Sequence, residues 1–193
     1  MKRRNPRSAS GQSAVEMAIM LPFLLVVALG VIELSYALLD QHVVTKLARE
    51  GSNLISRDTT LQDATTAVSN MANRPVDFSS SSTMILSVLR KMDISGSNFG
   101  QVILYQRTQV GALSVQSALQ TRGTGSFSGP PDYTAANPSS DTNLQITNLP
   151  ANLAMVNGGF LYVTEVFTRH PLITPLDRFG IQVPQQLYSI AYF

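Results

Sequence analysis

The chain of 193 residues contains no cysteine. That absence excludes a disulfide framework, a thiolate metal site and a cysteine nucleophile. It is compatible with a periplasmic domain that folds without bridges. Charge is also scarce, since Asp, Glu, Lys and Arg make up 13% of the chain against about 25% in soluble domains. The deficit fits a protein with part of its surface in lipid and a Ser/Thr/Asn-rich remainder. His42 and His170 are the two histidines. Neither has a spacing partner for a metal site, and neither lies in a triad motif. Gly123-Thr124-Gly125 lacks the lysine and helix pattern of a phosphate loop. No cofactor and no metal are expected, and the chain does not read as an enzyme.

The formal net charge of +2 hides an asymmetry. Lys2, Arg3, Arg4 and Arg7 precede Gly11 with no acid among them, and beyond Gly11 ten bases face twelve acids, a net of −2. The basic balance therefore belongs to the first residues and gives no support to a nucleic-acid partner. Beside an apolar run those charges act on topology. They hold the N-terminus in the cytoplasm and send the rest outside.

The apolar run itself, Met17 to Ile32, is sixteen residues without a charge. Ala14 and Val15 extend it on one side and Leu34 to Leu39 on the other, which brings it to the roughly 20 residues a bilayer requires. Glu16 and Glu33 then fall near the two interfaces, away from the centre where a charge costs about 2.5–3.5 kcal/mol. Pro22 lacks an N–H and should kink the helix or loosen one turn. Gly30 permits close approach of another helix.

Helical periodicity continues past the run. Val43, Leu47, Glu50 and Leu54 fall on one line, and Val44, Ala48, Gly51 and Ile55 on the next. One helix over 12–57 would reach about 70 Å, its first half in lipid and its second covering a periplasmic domain. Arg49 and Glu50 read as the polar boundary of that second half and not as a catalytic pair. Gly51 allows another element to cross closely.

Residues 58–193 read as an α+β domain. Thr60 to Arg74 predicts a helix with a Thr60–Asp63 capping box and a face of Leu61, Ala64, Val68 and Met71. Met84, Ile85, Val88, Leu89 and Met92 sit at helical spacing and predict a further helix over Ser82 to Met92. Ser95 to Gly100 reads as a turn. Residues 101–108, 112–120, 160–169 and 186–193 are rich in Val, Ile, Tyr, Phe and Thr and predict strands. They are expected to form an antiparallel sheet against the second half of the first helix. Residues 123–143 carry Gly129-Pro130-Pro131 and Asn137-Pro138 and predict a flexible, exposed loop.

Gly11, Ala14-Val15-Glu16, Ala18, Pro22, the Leu/Val run, Gly30, Glu33 and Ala48-Arg49-Glu50-Gly51 occur in order. Over residues 11–57 they make the chain resemble the TadE-like minor pseudopilins of tight-adherence (Tad, or Flp) pili. A glutamate five residues after a glycine, at the mouth of a hydrophobic helix, is the processing pattern of type IV prepilins. The resemblance implies a basic leader, 1–11, removed by a prepilin peptidase between Gly11 and Gln12. It also implies a pilin-like lollipop fold: helix 12–57 on a periplasmic domain.

In that family setting Gln12, Glu16 and Pro22 serve subunit packing. The new amine of Gln12 would meet Glu16 of a neighbour, since an unpaired carboxylate in lipid is strongly disfavoured. Such pilins usually carry Phe where this chain has Gln12. Gly30, Glu33, Arg49, Glu50 and Gly51 are secondary candidates, Glu33 for a second link between subunits. The implied partners are the prepilin peptidase, other pilins and pseudopilins, the inner-membrane assembly platform and membrane lipid. The implied place is a single pass in the bacterial inner membrane, or the fibre itself, with roles in pilus assembly and cell adhesion. Two other classes compete. One is a secreted periplasmic binding protein with an ordinary signal peptide cut near Ser35-Tyr36-Ala37. The other is an uncleaved single-pass anchor carrying an enzyme domain.

Overall fold

The computed structural model describes residues 7–182 and 184–193. Lys2, Arg3 and Arg4 of the basic leader lie outside the described residues. Helix α1 runs over Arg7–Ile55 as one 49-residue element with Pro22 inside it. It begins five residues before the expected start, so the Gly11–Gln12 bond lies within helix. The chain divides into two compact units, one holding α1 up to Leu39 with Pro171–Gln185, the other Asp40–His170 with Gln186–Phe193.

In the second unit α1 is followed by α2, Leu61–Met71, and by strands β1, Ser82–Lys91; β2, Val102–Gly111; β3, Phe160–Arg169; and β4, Gln186–Tyr192. The α+β class and the antiparallel sheet are as expected, with strand order β2-β1-β3-β4. Thr60 caps α2 as its spacing predicts, its hydroxyl accepting from the Asp63 amide at 3.1 Å. Leu61, Ala64 and Val68 are buried, but Met71, assigned to the same face, is 43% exposed.

The segment expected to be a helix from Ser82 to Met92 is the central strand β1. Its first eight residues are all buried, because β2 flanks it on one edge, β3 on the other, and both faces are covered. A strand buried on both faces loses the alternation that marks strands, and its apolar run then matches a helical template equally well. Ala112–Gln120, expected as a strand, forms no strand. Gly111 ends β2 at φ +135°, where a Cβ would lie 2.2 Å from the Ser82 carbonyl oxygen, and the chain leaves the sheet there.

One face of the sheet carries Met84, Leu86, Val88 and Val166. These pack in one core with Val44, Leu47, Ala48 and Ile55 of α1 and with Leu61, Ala64 and Val68 of α2. The line Val44, Ala48, Gly51, Ile55 is thus the buried one, while Val43 and Leu54 are partly buried. Burying each large side chain there contributes about 1.5–3 kcal/mol. The opposite face, with Leu89, Leu104 and Val163, is covered by Leu119 and other residues of the β2–β3 connection. Residues 123–143 are strand-free but tied down: Gln106 bridges Thr134, and Phe127 bridges Ala135. Asn98 holds the same connection, donating to the carbonyls of Pro138 at 2.9 Å and Asp141 at 2.8 Å and accepting from Gln145 at 2.8 Å.

In the first unit Pro171–Gln185 accompanies α1. It contains a short 3-10 turn, Pro175–Phe179, closed by Gly180 in the left-handed conformation.

Candidate functional site

The head of α1 is exposed on every side. Val15, Met17, Ile19, Met20, Leu21, Phe23, Leu24 and Leu25 are all exposed, and no residue of the helix's most apolar 18-residue stretch is buried. An apolar surface of this size has no favourable solution in water, and the helix is long and apolar enough to cross a membrane. Gln12 and Glu16 stand one turn apart on one face, the Gln12 amide donating to the Glu16 carboxylate at 3.1 Å. Gly11 and Gly30 have open space where a Cβ would project. Ser35 returns its hydroxyl to the Val31 carbonyl at 2.8 Å, so its polar group is satisfied within the helix.

Glu33 behaves unlike Glu16. It is only 1% exposed. Its carboxylate accepts from the Thr174 amide at 2.8 Å and the Thr174 hydroxyl at 2.6 Å, and from the Ile173 amide at 3.2 Å. Sequence reading placed Glu33 near the membrane interface, with a second link between subunits as a secondary role. In the fold it has partners within its own chain, which its position between apolar residues gave no means of foreseeing.

The other end of α1 is fixed to the sheet. Gln41 donates to the Tyr188 carbonyl at 3.0 Å and Ser52 to the Ala191 carbonyl at 2.9 Å. A Cβ on Gly51 would lie 2.7 Å from Cγ2 of Thr164 in β3. The close crossing expected at Gly51 is therefore made by β3. Arg49 and Glu50 line an open cleft of about 500 Å³ together with Ser52, Asn53 and Ala191 to Phe193. His42 is exposed; His170 is buried, its Nδ1 2.6 Å from the Asp40 carboxylate. Among the described residues no cluster of His, Cys, Asp and Glu could hold a metal ion.

Sequence reading also missed a buried polar network on the connection-covered face. Glu165 in β3 is fully buried. It accepts from the Ser117 hydroxyl, from the Ala118 amide at 2.7 Å and from the Tyr188 hydroxyl at 3.2 Å. Arg107 of β2 donates to Ser117 at 3.1 Å and to Ser87 at 3.0 Å, so Ser117 joins cation and carboxylate. Burial pushes the Arg107 guanidinium below its ordinary value, and Glu165 opposes that shift. Tyr188 is pushed far above the usual phenol range, first by burial and then by the Glu165 charge. The alternation of Val163, Glu165 and Phe167 along β3 puts an acid at a core position, and that was the available signal.

The fold and the exposed helix define a class: an α+β domain carried on one N-terminal helix of membrane-spanning length. Residues 11–53 match the family model for TadE, described as TadE-like protein. The match covers Gly11, Glu16, Pro22, Glu33 and Ala48-Arg49-Glu50-Gly51, the residues on which the resemblance was read. The match takes in under a quarter of the chain, and over that stretch the chain is similar to pilin-like proteins associated with membranes and tight-adherence pili. No curated protein and no solved structure matches the chain.

Proposed function

We propose that this protein is a minor pilin-like subunit, a pseudopilin, needed to assemble a tight-adherence pilus. A prepilin peptidase removes the basic leader after Gly11. The N-terminus lies in the cytoplasm and the α+β domain in the periplasm. In the membrane, α1 packs laterally against other pilins and the assembly platform, with the new amine of Gln12 meeting Glu16 of a neighbour. Pro22 and Gly30 adjust that packing.

The observation that carries the reading is the unburied apolar head of α1 with Gln12 and Glu16 on one face. Lipid or other helices must cover such a surface, and a carboxylate within it needs a cation. The secreted alternative fits less well. A cut after Ala37 would divide a continuous helix and strip Glu33 from Thr174.

The test is the mature N-terminus, read by intact mass after expression with a matching prepilin peptidase. A peptidase-dependent start at Gln12 supports the proposal. A start near Leu38, or an uncut chain in the presence of active peptidase, overturns it. Glu16→Ala is then expected to abolish pilus assembly while leaving membrane insertion intact.

A further inference from the structure

The segment Pro171–Gln185 has a surface that the pilus reading does not use. It belongs to the same compact unit as α1 up to Leu39 and is tied to that helix where Glu33 meets Ile173 and Thr174. From Val15 to Glu33 a helix rises about 27 Å, close to the roughly 30 Å thickness of a bilayer's hydrocarbon core. The tie therefore falls at the boundary of the membrane far from the N-terminus.

The segment is chemically suited to that depth. Ile173 is 53% and Phe179 55% exposed, and Ile181 is exposed as well. Leu176, by contrast, is buried. Pro171, Pro175 and Pro184 bring no N–H to be desolvated. The Gly180 and Ile181 amides are satisfied inside the turn, at 3.0 Å by Asp177 and 3.2 Å by Leu176. Asp177 and Arg178 are exposed beside the apolar residues, where their charges can reach headgroups. Three donors from the segment close on Glu33, at the point where a carboxylate entering lipid most needs them.

We infer that residues 171–185 form an interfacial membrane anchor, with Ile173, Phe179 and Ile181 seated in the headgroup–acyl boundary beside α1. The bilayer is the occupant because this exposed apolar surface is tied, through Glu33, to the end of the lipid-length exposed run of α1. The inference rests on the membrane-spanning reading of that helix.

The chain has no tryptophan, so single substitutions report position directly. The full chain is reconstituted in phosphatidylcholine vesicles as Phe179→Trp, Leu25→Trp (mid-helix) and Phe99→Trp (an exposed turn of the second unit). Emission is read with lipids brominated near the headgroup or deep in the chain, and with aqueous acrylamide. Phe179→Trp is expected to be quenched more by shallow than by deep bromines and to resist acrylamide, while Phe99→Trp escapes both bromines and is quenched by acrylamide. If Leu25→Trp is quenched by deep bromines but Phe179→Trp behaves like Phe99→Trp, the helix spans and the anchor is overturned. Protection of Phe179→Trp from acrylamide without bromine quenching also overturns it, in favour of a protein contact. If Leu25→Trp escapes deep bromines, the spanning reading and the anchor fall together.

Discussion

Glu33 and Thr174, 141 residues apart, are joined by two hydrogen bonds from one threonine, its amide at 2.8 Å and its hydroxyl at 2.6 Å. A carboxylate in an apolar helix is here satisfied by the chain's own backbone. Among the described residues, Glu16 accepts from the Gln12 side chain one turn away. Of the glutamates in this helix, Glu33 is thus bound within its own unit, while Glu16 is exposed.

Replacing Glu33 by Ala should therefore release Pro171–Gln185 without affecting the proposed cleavage site. Losing the acceptor leaves the Ile173 and Thr174 amides unsatisfied, at about 1–3 kcal/mol. Hydrogen exchange in micelles should show faster exchange at both amides, and trypsin should cut sooner at Arg178. Thr174→Val, which keeps the amide bond, should give a smaller effect. Unchanged exchange in Glu33→Ala would show that Glu33 does not hold the segment.

Glu165→Ala should be among the most damaging single changes in the α+β domain. It leaves the half-buried Arg107 without the charge to which Ser117 links it, and the Ser117, Ala118 and Tyr188 donors without their acceptor, at about 1–3 kcal/mol for each buried group left unsatisfied. Ser117→Ala removes a relay but not the charge, and should cost about 1 kcal/mol. Urea unfolding of the full chain in detergent, followed by circular dichroism, gives both values. Similar midpoints for the two variants would mean that Glu165 and Arg107 are not coupled.

The same network sets behaviour at high pH. Tyr162, Tyr188 and Tyr192 are all raised above the ordinary phenol value, burial being the first cause in each and Glu165 acting on Tyr188 and Tyr192. The folded form then holds its phenolic protons after the unfolded form begins to lose them. Stability is full below the unfolded value of about 10 and falls as pH rises above it. The thermal midpoint should drop as pH rises above about 10, and Tyr188→Phe should flatten that drop. Tyrosinate absorbance in the folded state should lag behind that of the unfolded chain. Coincident titrations would remove the proposed cause.

What was legible in the sequence divides along physical lines. The first helix was readable because an uncharged run followed by a 3.6-residue stripe has few other solutions. Phe160–Arg169 was readable because its β-branched and aromatic residues match a strand. β1 was misread because Met84 to Leu89 are buried on both faces, which erases period two. The partners of Glu33 and Glu165 were not readable at all. Ile173, Thr174, Ser117 and Ala118 lie in irregular segments whose paths depend on tertiary packing, and amide donors carry no sequence signal.

Gly51 tests the one close crossing that was anticipated. A Cβ there would lie 2.7 Å from Cγ2 and 2.8 Å from Oγ1 of Thr164, and Thr164 is fully buried with little room to move. Gly51→Ala gains helix propensity of about 1 kcal/mol, but overpacking costs about 1–3 kcal/mol, so net destabilisation is expected. Thr164→Ala removes both clashing atoms. The double variant Gly51→Ala/Thr164→Ala should then recover most of the loss, with a coupling energy of about 1 kcal/mol or more. Additive effects in that cycle would mean that α1 shifts bodily away from β3. The Gln41–Tyr188 and Ser52–Ala191 bonds would then break as well, and the β4 amides would lose hydrogen-exchange protection.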